Sequence, residues 1–166
     1  MKETTEFYEV VELGGGPAPD YKPNIDICGC ASVDKVADLS KGIPLPDKCC
    51  MKLFSRDFIE HFMFTDFLNL LRECRRVLKV GGSIEFITPN MDDVLLNHKV
   101  YNEHVHHCVI GAWDENRPEM RHKSWWTPSL VEYVLRKEGW RDIDVSEYRR
   151  DADHWKEPKM TIRAIK

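Results

Sequence analysis

The sequence predicts an α/β fold, a mostly parallel open sheet that ends in an antiparallel edge. Three observations predict it. Short β-branched runs alternate with two strongly amphipathic stretches, "TDFLNLLRECRRVLKVGG" and "TPSLVEYVLRKEGW". The two closing runs, "RDIDVSEY" and "KMTIRAIK", are joined by a short polar connection that suits antiparallel pairing. The first apolar run ends in three glycines, and the next strand follows with room for only a turn. The helical layer is therefore abbreviated after the first strand.

"FYEVVELG" is apolar and β-branched and stops at glycine, as a strand does. "NIDICG" and "VDKVADL" are two further short strands, and "CCMKLFS" is a buried strand after the turn-rich "KGIPLPDK". In the first long helix Thr65 can cap the opening turn, and Phe67, Leu68, Leu71, Cys74, Val77 and Leu78 keep helical spacing. Arg75, Arg76 and Lys79 suit its negative carboxyl end, and Gly81-Gly82 is placed to stop it. "SIEFITPN" alternates as a strand and breaks at Pro89, and "MDDVLLNH" is a short helix. Residues 91–126 have little periodicity and many His, Asn and charged side chains, the composition of an acceptor or lid segment. Thr127 caps the second helix, Pro128 stands in its first turn and Gly139 terminates it.

At 166 residues the chain is expected to form a single domain, 1–166. A formal charge of −4 gives no general attraction to phosphate backbones, so nucleic acid is not expected as a partner. "MKETTEF" has no apolar leader and no run reaches membrane-spanning length, which predicts a cytoplasmic protein without membrane contact. None of the six cysteines forms a C-x-x-C pair, so they are expected to be reduced core thiols and no metal site is expected. A solvated helix face accounts for Arg72, Arg75, Arg76 and Lys79.

Ligands of open α/β sheets sit at the carboxyl ends of the strands. There Gly14, Gly15 and Gly16 let the backbone approach a ligand closely. Asp26 ends the next strand, where a carboxylate can accept both hydroxyl protons of a ribose, and Asp38 ends a third, where it can accept from an exocyclic amine. The loop after Phe54 reaches the same crevice.

The order "VELGGGP … NIDI … VADLS … IPLPDKCCMKLFSRDFIEHF … FLNLLRECRRVLKVGGSIEFITPN" resembles the short class I, type 11-like S-adenosylmethionine-dependent methyltransferases over about residues 8 to 90. The most specific stretch is Ile59-Glu60-His61-Phe62 followed by Arg76-Val77-Leu78-Lys79-x-Gly81-Gly82. The resemblance implies a Rossmann-like seven-stranded sheet whose last strand inserts antiparallel beside the fifth, and S-adenosylmethionine as cofactor. It implies that Gly14, Gly15 and Gly16, with Glu12 beside them, hold the methionine moiety. It also implies Asp26 at the ribose, Asp38 and Leu39 at the adenine, and Phe54 and Ser55 near the sulfonium. The implied activity is methyl transfer to a small-molecule or glycan acceptor. The abbreviated first connection resembles enzymes of cell-surface sugar or cell-wall synthesis.

Such a displacement needs nucleophile, methyl and sulfur in line with water excluded, and a hydroxyl acceptor needs a base. His61, His104 and His107 are the candidates, because imidazole titrates near neutral pH. "HVHH" with His98 nearby lacks the accompanying acid or cysteine pattern of a metal site. Trp113, Trp125 and Trp126 can either stack on an acceptor or pack the fold. Two other readings stay open. One is a non-catalytic adenosyl-binding or scaffold protein, favoured by the reduced first connection. The other is a nicotinamide-dependent oxidoreductase, for which "GGGPAPD" supplies neither the glycine spacing nor the helix that a pyrophosphate needs. Few helices serve many strands, so one sheet face calls for extra cover, with a slight preference for a homodimer.

Overall fold

The computed structural model describes residues 6–97, 105–111, 116–148 and 158–166. Strand β1 (Tyr8–Leu13) is followed by β2 (Asn24–Asp26), β3 (Lys35–Val36) and β4 (Cys50–Arg56) with no α-helix between them. Helix α1 (Phe64–Val77) leads into β5 (Leu78–Pro89), α2 (Met91–Leu96) and a helical stretch at 105–110, here α3. Helix α4 (Pro128–Lys137), β6 (Arg141–Glu147) and β7 (Lys159–Ile165) complete the chain. Short 3₁₀ turns lie at Leu39–Lys41, Ile59–His61 and Pro118–Met120.

The strands form one seven-stranded sheet in the order β3-β2-β1-β4-β5-β7-β6. β1 to β5 run parallel, and β7 lies antiparallel between β5 and β6. This is the expected Rossmann-like sheet with its inserted last strand.

The central strands are buried on both faces, so they read as apolar runs. Val11, Leu13, Leu53, Ile84, Phe86 and Ile162 fill one continuous core with the inner face of α1. That face is Phe67, Leu70, Leu71, Cys74 and Val77, each stabilising by up to about 2 kcal/mol through burial. Trp126 is buried against the Phe67 ring, with centroids 4.6 Å apart, so it packs the fold.

Three local expectations change. Met63, not Thr65, is the N-cap of α1, and it offers no side-chain bond. The helix ends at Val77 and passes directly into β5, because buried Leu78 is needed opposite Cys50 in the sheet. Gly81 and Gly82 therefore do not stop the helix. They lie inside the β5 irregularity where the register moves from Cys50↔Leu78 to Lys52↔Ser83. Gly81 takes φ +79°, and a Cβ on Gly82 would fall 2.9 Å from the Met51 carbonyl oxygen.

The basic face of α1 is also less solvated than expected. Arg76 donates to the Ile43 and Leu45 carbonyls at 2.7 and 2.8 Å and pairs with Glu73 and Asp47, tying the segment before β4 to the helix. Arg75 donates to the Gly139 carbonyl at 2.8 Å, and Arg72 pairs with Glu138. These side chains serve the fold, with no need of nucleic acid. All six cysteines are free: Cys49, Cys50, Cys74 and Cys108 are buried, whereas Cys28 and Cys30 are only half-buried, after β2. No helix among the described residues is long and apolar enough to cross a membrane.

Candidate active site

The carboxyl ends of β1, β2 and β4 open onto a cavity of about 510 Å³, within the size range of small-ligand sites. Gly14, Gly15, Gly16 and Pro17 form one wall. Asp26, Ile27 and Cys28, then Ala37, Asp38 and Leu39, form the next. Asp57, Phe58, His61 and Phe62 follow β4, and Arg117, Glu119, Met120 and Lys123 complete the lining.

The glycine turn is held by side chains rather than by a helix. Gly14 and Gly16 take φ +73° and +51°, which only glycine adopts without strain. Gly15 N–H donates to Asn24 Oδ1 at 3.1 Å, and Asn24 Nδ2 donates back to the Gly16 carbonyl at 3.0 Å. Asp26 accepts Gly16 N–H at 2.9 Å on Oδ2 and Cys28 N–H at 2.6 Å on Oδ1. Each carboxylate oxygen has a second lone pair, so the group fits a vicinal diol as well as its own backbone. The neighbouring Ile27, Ala37 and Leu39 offer an apolar slot for a base. The residues present therefore fit the adenosine portion of S-adenosylmethionine.

Other predicted residues sit differently. Asp38 lies two residues beyond β3 and caps the 3₁₀ turn, accepting Ser40 N–H and Oγ–H and pairing with Lys41 at 3.0 Å. The Ser40 bond, with Lys41, holds its carboxyl below the usual range. Glu12 is buried outside the cavity wall, and Oε2 accepts Tyr21 N–H at 2.5 Å. Burial raises its pKa, against the lowering effect of that hydrogen bond. Phe54 packs edge-on against Tyr21, and Ser55 is buried with its Oγ lacking a hydrogen-bond partner; neither lines the cavity. The cavity is instead met by Asp57 and Phe58, just past the end of β4. Phe58 lies so close to the glycine turn that a Cβ on Gly14 would fall 2.0 Å from its ring.

Of the candidate bases, His61 lines the cavity. Its Nδ1 is 3.1 Å from the Arg121 carbonyl, and burial lowers its pKa, favouring the neutral ring. His107 is exposed on α3, edge-on to His106 and away from the cavity wall, and His104 lies outside the described residues. Trp113 is also outside them, and Trp125 is spent on the Val109 carbonyl at 2.8 Å.

Glu60, inside "IEHF", carries no role expected from the sequence. Glu60 is buried, accepts Thr88 Oγ–H at 3.0 Å on Oε2, and has its pKa pushed up to about 8 by burial and then by the Asp57 charge. Its Oε1 stands 4.0 Å from Nε2 of His122, whose ring is 5.0 Å from that of His61. An acid set between Phe58-Ile59 and His61-Phe62, in a stretch flanked by apolar side chains, was the available signal.

A family model described as a methyltransferase domain, of the type 11 group, matches residues 23–86. In fold the chain is similar to a S-adenosylmethionine-dependent methyltransferase from Archaeoglobus fulgidus, with TM-score 0.62 and 16% identity over 98% of this chain and 87% of that one. It is similar to another from Methanosarcina mazei, with TM-score 0.65 and 13% identity over 98% and 93%. Phosphoethanolamine N-methyltransferase 2 of Haemonchus contortus, solved with S-adenosyl-L-methionine, matches with TM-score 0.61 and 14% identity over 99% of this chain and 50% of its own. No curated protein sequence matches the chain significantly.

Proposed function

We propose that this chain is a class I, type 11-like S-adenosylmethionine-dependent methyltransferase acting on a small polar acceptor bearing a hydroxyl group, such as the sugar of a glycan or its precursor, a reading that the matched segment and the fold support. The observation that supports the cofactor half is Asp26, held at the cavity mouth by Gly16 and Cys28 with lone pairs to spare. Asp26 binds the ribose, the turn at Gly14–Gly16 admits the amino-acid end, and Leu39 with Ile27 covers the adenine. S-adenosylmethionine supplies the electrophilic methyl group.

The acceptor half is the part of the lining formed by Arg117, Glu119 and Lys123, together with His61. Charged side chains at a cavity wall suit a hydroxylated ligand better than an apolar one. The neutral imidazole of His61 offers a lone pair there, which can take up a proton or a cation. Enclosure aligns the reactants and excludes water, which supplies much of the acceleration. Work in cell-surface sugar or cell-wall synthesis is the corresponding setting.

Calorimetry with S-adenosylhomocysteine tests the cofactor half: binding is expected, with at least about a 100-fold loss in Asp26→Ala, since hydrogen bonds to a charged group carry about 1.5–3 kcal/mol each. Unchanged binding in that variant refutes the assignment. Incubation with methyl-labelled cofactor and a panel of nucleotide sugars, free sugars and amines tests the acceptor half. Label passing only to amines overturns the hydroxyl reading.

A further inference from the structure

We propose that Glu60, His61 and His122 form a binding site for one divalent transition-metal cation, of the zinc type, at the acceptor wall of the cavity. One ligand atom from each residue lies within 4.8 Å of the other two. The three side chains converge from different places. Glu60 and His61 come from the 3₁₀ turn after β4, and His122 from the segment after Pro118–Met120. Lys123 and Ser124 N–H both donate to the Glu60 carbonyl, which fixes the second segment on the first.

The carboxylate carries the strongest argument. Oε1 of Glu60 is buried without a hydrogen-bond partner, while its twin oxygen is bonded to Thr88. A buried carboxylate oxygen left unpaired is costly, and a cation is the partner that repays it fully. The two imidazoles are prepared in the way metal-ligating histidines are. His122 Nδ1 lies 2.9 Å from the Cys108 carbonyl and His61 Nδ1 lies 3.1 Å from the Arg121 carbonyl. A carbonyl can only accept, so each Nδ1 carries the proton and each Nε2 carries the lone pair.

Two histidines and one glutamate satisfy three positions of a tetrahedral zinc-type site and leave the fourth open. Of the three, His61 lines the cavity, so the site borders the cavity at that ring. Ligand atoms on a tetrahedral ion with bonds of about 2.0–2.1 Å stand roughly 3.3 Å apart, so binding draws the three groups inward by about an ångström. The cation would polarise an acceptor oxygen bound in the fourth position. That role rests on the methyltransferase reading; the binding itself does not.

The chain, stripped with a chelator and dialysed, is titrated with Zn²⁺ by calorimetry and with Co²⁺ by visible absorption. The expected result is one equivalent per chain and the intense visible bands of tetrahedral Co²⁺. Glu60→Gln and His122→Ala should each weaken Zn²⁺ at least about 100-fold, whereas the exposed His106→Ala should leave it unchanged. Absence of stoichiometric uptake by the unsubstituted chain overturns the proposal, as does loss of uptake in His106→Ala with none in Glu60→Gln. The titrations of the unsubstituted chain decide the matter even if a variant fails to fold. S-adenosylhomocysteine binding by the stripped chain, measured in parallel, is expected to persist, so failure of the metal site and failure of the cofactor reading give different results.

Discussion

The two wings of the sheet are built by different means. From β4 through β5 and β7 the strands are covered by α1 and α4, and the stabilising groups are Phe67, Leu70, Leu71, Trp126 and Leu135, all buried. From β1 through β2 to β3 no α-helix intervenes, and polar side chains hold the backbone. Asn24 is buried and bonds Gly15, Gly16 and Ser32, its own N–H donates to Asp34 at 2.7 Å, and Asp20 pairs with Arg56 at 2.9 Å. A helix closes its backbone groups on itself, whereas an irregular connection must borrow side chains to satisfy them. The proposed cofactor wall belongs to the second kind, so stability and the proposed binding are expected to be coupled there.

Substitutions on the two wings should separate these mechanisms. The largest effect is expected for Leu71→Ala in α1, where a cavity in a close-packed core costs about 2–5 kcal/mol. At about 2–4 °C per kcal/mol the melting temperature should fall by about 5–20 °C, with cofactor affinity of the folded fraction unchanged. Asn24→Ala should cost less, about 1–3 kcal/mol, because it removes three bonds to the backbone and leaves the Gly15 N–H without its acceptor, while the Gly16 and Ser32 carbonyls keep Ser32 Oγ and Lys22 as donors. Unlike Leu71→Ala it should also weaken S-adenosylhomocysteine, read by calorimetry on the folded protein. If affinity is unaffected, the polar wing is scaffold alone.

The acids of the two wings should titrate with opposite signs. Glu73 on α1 is held below its ordinary pKa by its Arg76 hydrogen bonds. Its stabilisation is present above the unfolded pKa of about 4.5 and is lost as pH falls through the lower folded value. Glu12 on β1 is raised by burial, so its contribution is greatest below about pH 4.5 and declines as pH rises through the raised value. Urea midpoints followed between pH 3.5 and 8 should therefore lose an acid-side slope in Glu73→Gln and a neutral-side decline in Glu12→Gln. The same change in both variants would contradict the contrast. The smallest effect is expected for Arg72→Ala, whose partly exposed pair with Glu138 contributes under about 1 kcal/mol; a larger drop in the urea midpoint would show that α1 and α4 depend on that bridge.

Much of the fold was legible in local pattern. The period of α1, the Thr127 cap with its bond from Leu130 N–H, and the closing antiparallel pair all follow from residues near one another in the chain. Asp26 was legible because a strand end is a local feature. The end of α1 was not, because Leu78 has equal claim to helix and strand until Cys50 pairs with it. Asp38 was placed at a strand end, but its carboxylate is engaged by Ser40 two residues on, a competition that propensity does not reveal.

By itself, then, the sequence determined the sheet's alternation, the missing first helix and the glycine–acid pair at the cavity, since each depends on spacing along the chain. Only the tertiary structure decided which histidine meets the cavity and what stands behind it. His122 reaches Glu60 across 62 positions of sequence through a turn pinned by backbone bonds to Glu60 itself. The unpaired carboxylate oxygen exists only because the core closes over it. Burial is a property of the assembled sheet and its cover, and no window of sequence contains it.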